Sequence, residues 1–306
     1  MELHGIVTPL ITPLASPGKL DEAALERLVE HVIDGGVKGI FVLGTTGEGP
    51  GLSAQVRREV VARVAGQAAG RVEVMCGITD TSIDESIALA CFAADAGANA
   101  VVHAGPVYYA VSQPELLRYV EELTSRLPLP LYLYNMPGCT HLSFAAETVA
   151  EAAKFPGVAG FKDSSGDMMY FRKVIAALRG NSNFRVFIGP EELLGEAVAL
   201  GAHGGVNGGS NLFPKLYVKL FEAASRGDSA EVVKLHRMVM AISKGVYTAG
   251  TYASSYLKGI KCAAHLLGLT GPAMAWPYEP FGAAETALMR DRVIALEAEL
   301  RYHNLA

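Results

Sequence analysis

Lys162 is the residue around which chemistry can be argued first. It ends an apolar run at 158–162 and is followed by Asp163, Ser164 and Ser165. A lysine at the inner end of such a run is either solvated at a rim or held as a neutral amine. A neutral amine in a dry cavity attacks a ketone and forms a Schiff base. The alternative is an ordinary strand-end lysine in a salt bridge with Asp163. Tyr134 closes another apolar run, 129–134, and leads into Asn135, Met136 and Pro137. Beside Lys162 it could shuttle a proton to and from an adduct; alone, it reads as an amphipathic tyrosine whose hydroxyl finds a polar partner. Thr45 and Thr46 stand between Gly44 and Gly47. Two hydroxyls with exposed backbone N–H groups suit a carboxylate, although a glycine turn with a helix-capping threonine has the same appearance.

Other residues carry less. Tyr108 and Tyr109 by themselves read as packing at a loop base sooner than as catalysis. His103, His141 and His203 fall near run ends, but no HxH or HExxH spacing joins them, and no metal is expected. The glycine-rich stretch 204–210 could grip a phosphate, yet no lysine or arginine accompanies it.

These residues need elements to position them. Short apolar runs recur at 5–11, 39–43, 72–77, 100–103, 129–134, 158–162, 185–188 and 205–207. They are continuous instead of alternating, as expected of strands buried on both faces of a parallel sheet. Helical patterns fill the gaps at 21–35, 53–69, 82–96, 113–127, 143–154, 168–178 and 191–200. Ser53 reads as one helix cap, and Ser112 with Glu115 as a capping box. Eight strands alternating with helices predict an α/β fold, a (β/α)8 TIM barrel. An open doubly wound sheet would lack its usual glycine-rich opening here. After Leu212 the strand signals stop, and 215–224, 229–244, 252–267 and 283–302 read as helices. The expected division is a barrel over 1–225, carrying the site, and a helical C-terminal subdomain over 226–306 packed on it. In a barrel, function belongs at the C-terminal strand ends, where all the residues above fall.

Composition excludes several classes. Of 306 residues, 50% are hydrophobic and 19% charged, so a large core can form. Twenty-six basic and 31 acidic residues give a net charge of −5 without a basic patch, against a nucleic-acid partner. Four scattered cysteines make neither a disulfide framework nor a zinc site. No uncharged apolar run approaches a membrane span, and Met1 to Gly5 lack the basic stretch of a secretory signal. A cytoplasmic protein with no membrane partner is expected.

Taken in order, Gly44-Thr45-Thr46-Gly47-Glu48, Tyr108-Tyr109, Tyr134-Asn135-Met136-Pro137 and Gly160-Phe161-Lys162-Asp163 closely resemble the dihydrodipicolinate synthase/N-acetylneuraminate lyase family. The likeness runs from Gly5-Ile6-Val7-Thr8-Pro9 to Glu279-Pro280-Phe281. It implies a class I, pyruvate-dependent aldolase. Lys162 would be the Schiff-base lysine, Tyr134 the general acid/base, and Thr45 and Thr46 the binders of the pyruvyl carboxylate. Tyr109 would reach across a dimer interface into a proton relay, and Gly189 and Val206 would contact the keto acid through their backbones. The resemblance also implies a homotetramer, a dimer of dimers. No cofactor is needed, because the protonated imine is the electron sink.

Departures from the pattern bear on substrate. Synthases of the family typically carry Ser-Arg-Thr after the Tyr-Asn-x-Pro motif; here the segment is Gly138-Cys139-Thr140, with a thiol at the arginine position. The asparagine that often follows the paired tyrosines is Ala110. Tyr108 to Ser112 and Lys162 to Asp167 look more like the 2-keto-3-deoxy sugar acid and 4-hydroxy-2-oxoglutarate aldolases. The expected reaction joins pyruvate and such an aldehyde, or cleaves their product. The alternatives are 4-hydroxy-tetrahydrodipicolinate synthase (pyruvate with aspartate semialdehyde), a keto-deoxy sugar acid dehydratase, and a non-catalytic barrel that binds a 2-oxo acid.

Overall fold

The computed structural model describes residues 3–305; Met1 and Glu2, the first residues of the chain start considered above, and Ala306 lie outside them. The strands are β1 (Gly5–Pro9), a short antiparallel hairpin of β2 (Leu14–Ser16) and β3 (Lys19–Leu20), then β4 (Gly39–Val42), β5 (Glu73–Gly77), β6 (Ala100–His103), β7 (Leu131–Asn135), β8 (Val158–Asp163), β9 (Arg185–Ile188) and β10 (Gly204–Gly205). All but the hairpin close into one parallel barrel, with β1 pairing both β4 and β10. Each expected run overlaps a barrel strand. The hairpin has no counterpart among the expected elements, and the 205–207 run meets β10 (Gly204–Gly205) only at Gly205.

Helices begin where side chains can satisfy orphan N–H groups. Asp21 accepts from the Ala24 N–H at 3.1 Å, opening Glu22–Asp34, and Ser53 accepts from Val56 at 3.3 Å, opening Ala54–Ala68. The capping box holds: the Ser112 N–H donates to the Glu115 carboxylate at 2.7 Å ahead of Gln113–Arg126. Such caps are worth about 1 kcal/mol each. The expected helix over 143–154 is shorter, Ala146–Ala152, because Asn135 Oδ1 takes the Phe144 N–H at 3.1 Å and holds the chain extended.

Two apolar layers result. Between strands and helices lies a continuous core that includes Leu28, Val61, Phe144, Phe161 and Phe171. Inside the barrel, Val7, Phe41, Met75, Val102, Tyr132 and Phe187 fill the bore below the strand ends. Helix Pro214–Ser225 packs against β1. Beyond it come Ser229–Ile242, which widens into a π turn at Ser243–Tyr247, then Ser255–Leu266 and Ala283–Tyr302. Among the described residues, no helix is long and apolar enough to cross a membrane.

Candidate active site

The site rests on the pairing of β7 with β8. Tyr134 lies opposite Lys162 and Asn135 opposite Asp163 in the parallel register. Successive strand residues point to opposite faces, so the first pair faces the bore and the second the helical layer. The outward pair is a clamp. Asn135 Nδ2 donates to Asp163 Oδ1 at 2.8 Å, and Ser165 gives Asp163 its N–H at 3.1 Å and its hydroxyl at 2.9 Å. Burial pushes the Asp163 carboxyl above its ordinary value, while these donors oppose that shift. Asp163 therefore is not the salt-bridge partner of Lys162. Adjacent residues of one strand cannot meet across it.

Lys162 is 7% exposed. Its Nζ stands 4.1 Å from the Tyr134 ring centroid and 5.1 Å from that of Phe41. Among the described residues it has no hydrogen bond or ion pair. The Tyr134 hydroxyl lies 3.5 Å from Thr45 Oγ1, and Thr46 Oγ1 is 3.0 Å from the Tyr256 hydroxyl. Lys162, Tyr134, Thr45, Thr46, Gly189 and Val206 all line one cavity of about 400 Å³. Gly189 is a close approach: a Cβ there would come within 2.0 Å of Ser164 Oγ. The N–H groups of Gly189 and Val206 are spent on the Asp163 and Ile188 carbonyls, and Asn207 Nδ2 donates to the Gly189 carbonyl at 2.9 Å. Backbone contact to a ligand there falls to carbonyl oxygens.

Tyr109 is placed elsewhere. It is 77% exposed and Tyr108 88%, with their rings edge-on at 5.1 Å and Tyr108 at φ 82°. The pair does not pack at a loop base, and within one chain Tyr109 is not part of the cavity wall. His103 is a core residue: the Gly105 N–H donates to Nδ1 at 2.9 Å, Nε2 lies 3.2 Å from the Tyr119 hydroxyl, and burial holds the ring down near a pKa of about 4. The 204–210 loop spends the Gly209 N–H on a carboxylate, Glu191 Oε2 at 2.9 Å, and offers no cradle to a phosphate.

That glutamate belongs to a part of the site the sequence did not disclose. Glu191 lines the cavity, is 3% exposed, and accepts from the Tyr247 hydroxyl at 2.8 Å and from the Tyr217 hydroxyl. Burial raises it to about 7. Tyr247 stacks edge-on against Tyr256 at 4.8 Å, and Ser243 donates to Glu192, so the π turn and the following helix supply the cavity's far wall. The signal that could have found this wall is the Gly208-Gly209 pair. A Cβ at 208 would sit 2.1 Å from the Tyr256 hydroxyl, and one at 209 would sit 1.8 Å from that of Tyr217.

A second cavity of about 470 Å³ shares Thr45 with the first and is lined by Cys139, Trp276 and Tyr278 among others. The wall between Thr45 and the C-terminal helices is pinned by Glu48, which is paired with Lys261 and accepts the Ala275 N–H at 2.7 Å.

Comparison with known proteins gives the family and the fold of the chain. The model of the dihydrodipicolinate synthetase family matches residues 2–295. A 4-hydroxy-tetrahydrodipicolinate synthase of Salinibacter ruber is 33% identical over 296 residues, 96% of this chain and 95% of that protein. The structure of dihydrodipicolinate synthase from Bacteroides thetaiotaomicron superposes with a TM-score of 0.93 at 49% identity, covering 96% of this chain and 98% of that one. YagE, a prophage protein of the dihydrodipicolinic acid synthase family from E. coli K12 solved in complex with pyruvate, gives 0.90 at 28% identity over 96% and 99% of the two chains. The chain belongs to the dihydrodipicolinate synthetase family, and like its members it is a class I, pyruvate-dependent lyase.

Proposed function

We infer that this enzyme cleaves, or in reverse forms, the C–C bond between pyruvate and an uncharged hydroxyaldehyde. The substrates are of the 2-keto-3-deoxy sugar acid or 4-hydroxy-2-oxo acid type. Thr45 and Thr46 hold the carboxylate of the 2-oxo acid, with Gly189 and Val206 beside it. Lys162 Nζ attacks the C2 ketone, and water leaves as the imine forms. The iminium draws electrons from the C3–C4 bond while Tyr134 takes the C4 hydroxyl proton, so the aldehyde departs and an enamine remains. Protonation at C3 and hydrolysis return pyruvate and the free amine. Tyr109 from a second copy continues the path from Tyr134 through Thr45, in a homotetramer acting in the cytoplasm. The barrel through residue 225 carries the chemistry, with the helices from 226 onward closing one side.

One observation carries the substrate choice. Among the described residues no arginine lines either cavity, whereas Glu191 and Glu192 line the first and Cys139, at the arginine position, lines the second. An aldehyde with its own carboxylate would lose water on entry and gain no cationic partner; each missing charge-assisted hydrogen bond is worth about 1.5–3 kcal/mol. Hydroxyl groups instead meet Ser164, Ser243 and Thr248. The competing reading is 4-hydroxy-tetrahydrodipicolinate synthase, favoured by the names of relatives at 33% and 36% identity. Steady-state kinetics with both substrate types decide between them. The expected kcat/KM is at least about tenfold higher, or ~1.4 kcal/mol, for keto-deoxy sugar acid cleavage. A preference for aspartate semialdehyde would restore the synthase.

A further inference from the structure

We propose that the C-terminal helices carry a second binding site, separate from the catalytic cavity, that takes a short monocarboxylate with Lys258 as its cation. Lys258 is 8% exposed, yet unlike Lys261 it meets no carboxylate. Its Nζ stands 3.7 Å from the Tyr252 ring centroid, and among the described residues neither a side-chain hydrogen bond nor an ion pair accompanies that contact. Glu285 accepts from the Tyr252 hydroxyl at 3.3 Å without pairing with Lys258. An aromatic face offsets only part of what an ammonium loses on leaving water, so an anion is the partner this group lacks.

The surroundings say which anion. Lys258 lines a cavity of about 150 Å³ with Cys262, His265, Pro272, Phe281 and Thr286, none of which borders the catalytic cavity. Lys258, Cys262 and His265 lie four and three residues apart on helix Ser255–Leu266 and share one of its faces. The ammonium and the Thr286 hydroxyl thus share the small cavity with proline and phenylalanine side chains. A phosphate would turn some of its charged oxygens toward those apolar rings. A carboxylate of two to four carbons can give its oxygens to Lys258 and Thr286 and set its few carbons against Pro272 and Phe281. The same helix sends Tyr256 to Thr46 and Lys261 to Glu48, so a ligand here would bear on the element that backs the carboxylate-binding threonines.

Iodoacetate tests this directly, because it is a two-carbon carboxylate carrying an electrophile. Cys262 Sγ displaces iodide, forming the S–C bond and releasing iodide and a proton. Burial pushes the Cys262 thiol up, which slows iodoacetate and neutral iodoacetamide alike and cancels in their rate ratio. Measured by peptide mass mapping, that ratio should be at least about tenfold higher at Cys262 than at the exposed Cys91, and excess propionate should suppress it at Cys262 alone. Lys258→Met should bring the two ratios together, and Lys258→Arg should keep them apart. Equal ratios in the unaltered protein, failure of iodoacetate to label Cys262, or a preference that survives Lys258→Met overturns the proposal.

Discussion

Two buried lysines stand on either side of the Thr45–Thr46 loop and have opposite surroundings. Lys261, on helix Ser255–Leu266, is 1% exposed and paired with Glu48, whose second oxygen takes the Ala275 N–H. Lys162, at the end of β8, has two aromatic faces and an open cavity but no carboxylate. The first arrangement satisfies every charge and leaves the amine nothing to attack. The second leaves the nitrogen without a hydrogen-bond or ion-pair partner among the described residues, at the wall of an open cavity. Burial of a lysine says little about its role until its partner is known; what the partner occupies, chemistry cannot use.

Removing each lysine should break different properties. Lys162→Ala is expected to lower kcat/KM by at least about 10⁴-fold, some 5 kcal/mol of barrier, with thermal stability nearly unchanged. In the unaltered protein, borohydride with pyruvate should add one reduced pyruvyl group at Lys162, read by intact mass. Labelling at Lys261, or at no lysine, would erase the contrast. Lys261→Met should do the reverse, costing about 3–5 kcal/mol of stability in denaturant melts because Glu48 is left buried and uncompensated. If Lys261→Met melts like the unaltered protein, the pair is not what fixes the threonine loop.

A finer test uses Glu191, a buried acid with phenol donors and, among the described residues, no cation. Its folded pKa, about 7, lies above the ordinary 4.5. Folding therefore favours the protonated form: its contribution is fully present below about 4.5 and is lost as pH rises through about 7. Melting temperatures of the unaltered protein relative to Glu191→Gln should fall across that window and level off above it. A flat difference would mean that Tyr217, Tyr247 and the Gly209 N–H satisfy the carboxylate as fully as Glu48 satisfies Lys261. The smallest expected signal comes from Tyr109. Mixing Tyr109→Phe with Lys162→Ala chains should restore up to about a quarter of the activity, since half the dimers are mixed and each holds one complete site. Verified mixed dimers with no recovery would make the site self-sufficient.

The lysine side of the molecule is legible in the sequence because its residues end strands. Apolar runs closed by Lys162, Tyr134 or a threonine between glycines mark the barrel mouth by residue order alone. The tyrosine wall is marked in the sequence only by the Gly208-Gly209 pair that its hydroxyls abut. Tyr217, Tyr247 and Tyr256 sit in helical or helix-like stretches where an aromatic residue reads as packing, and Glu191 reads as an acid at a helix start. Their meeting depends on how the C-terminal helices dock, and no local pattern encodes that docking. The π turn that widens Ser229–Ile242 at Ser243–Tyr247 is likewise a departure from regular periodicity, of a kind often found beside functional sites. The hairpin β2–β3 escapes notice because three- and two-residue strands carry too little pattern.

Helix Ser255–Leu266 presents Tyr256, Lys258 and Lys261 in three directions: to Thr46, to Tyr252 and to Glu48. An α-helix turns by about 100° per residue, so one residue inserted or deleted between Tyr256 and Lys261 would turn one of them away from its target while the other stayed in register. Point substitutions on its outer face leave those aims intact. The spacing of the three is thus a single mechanical property of the helix: a change within it would require the cavity wall, the threonine loop and the Lys258 pocket to be rebuilt together.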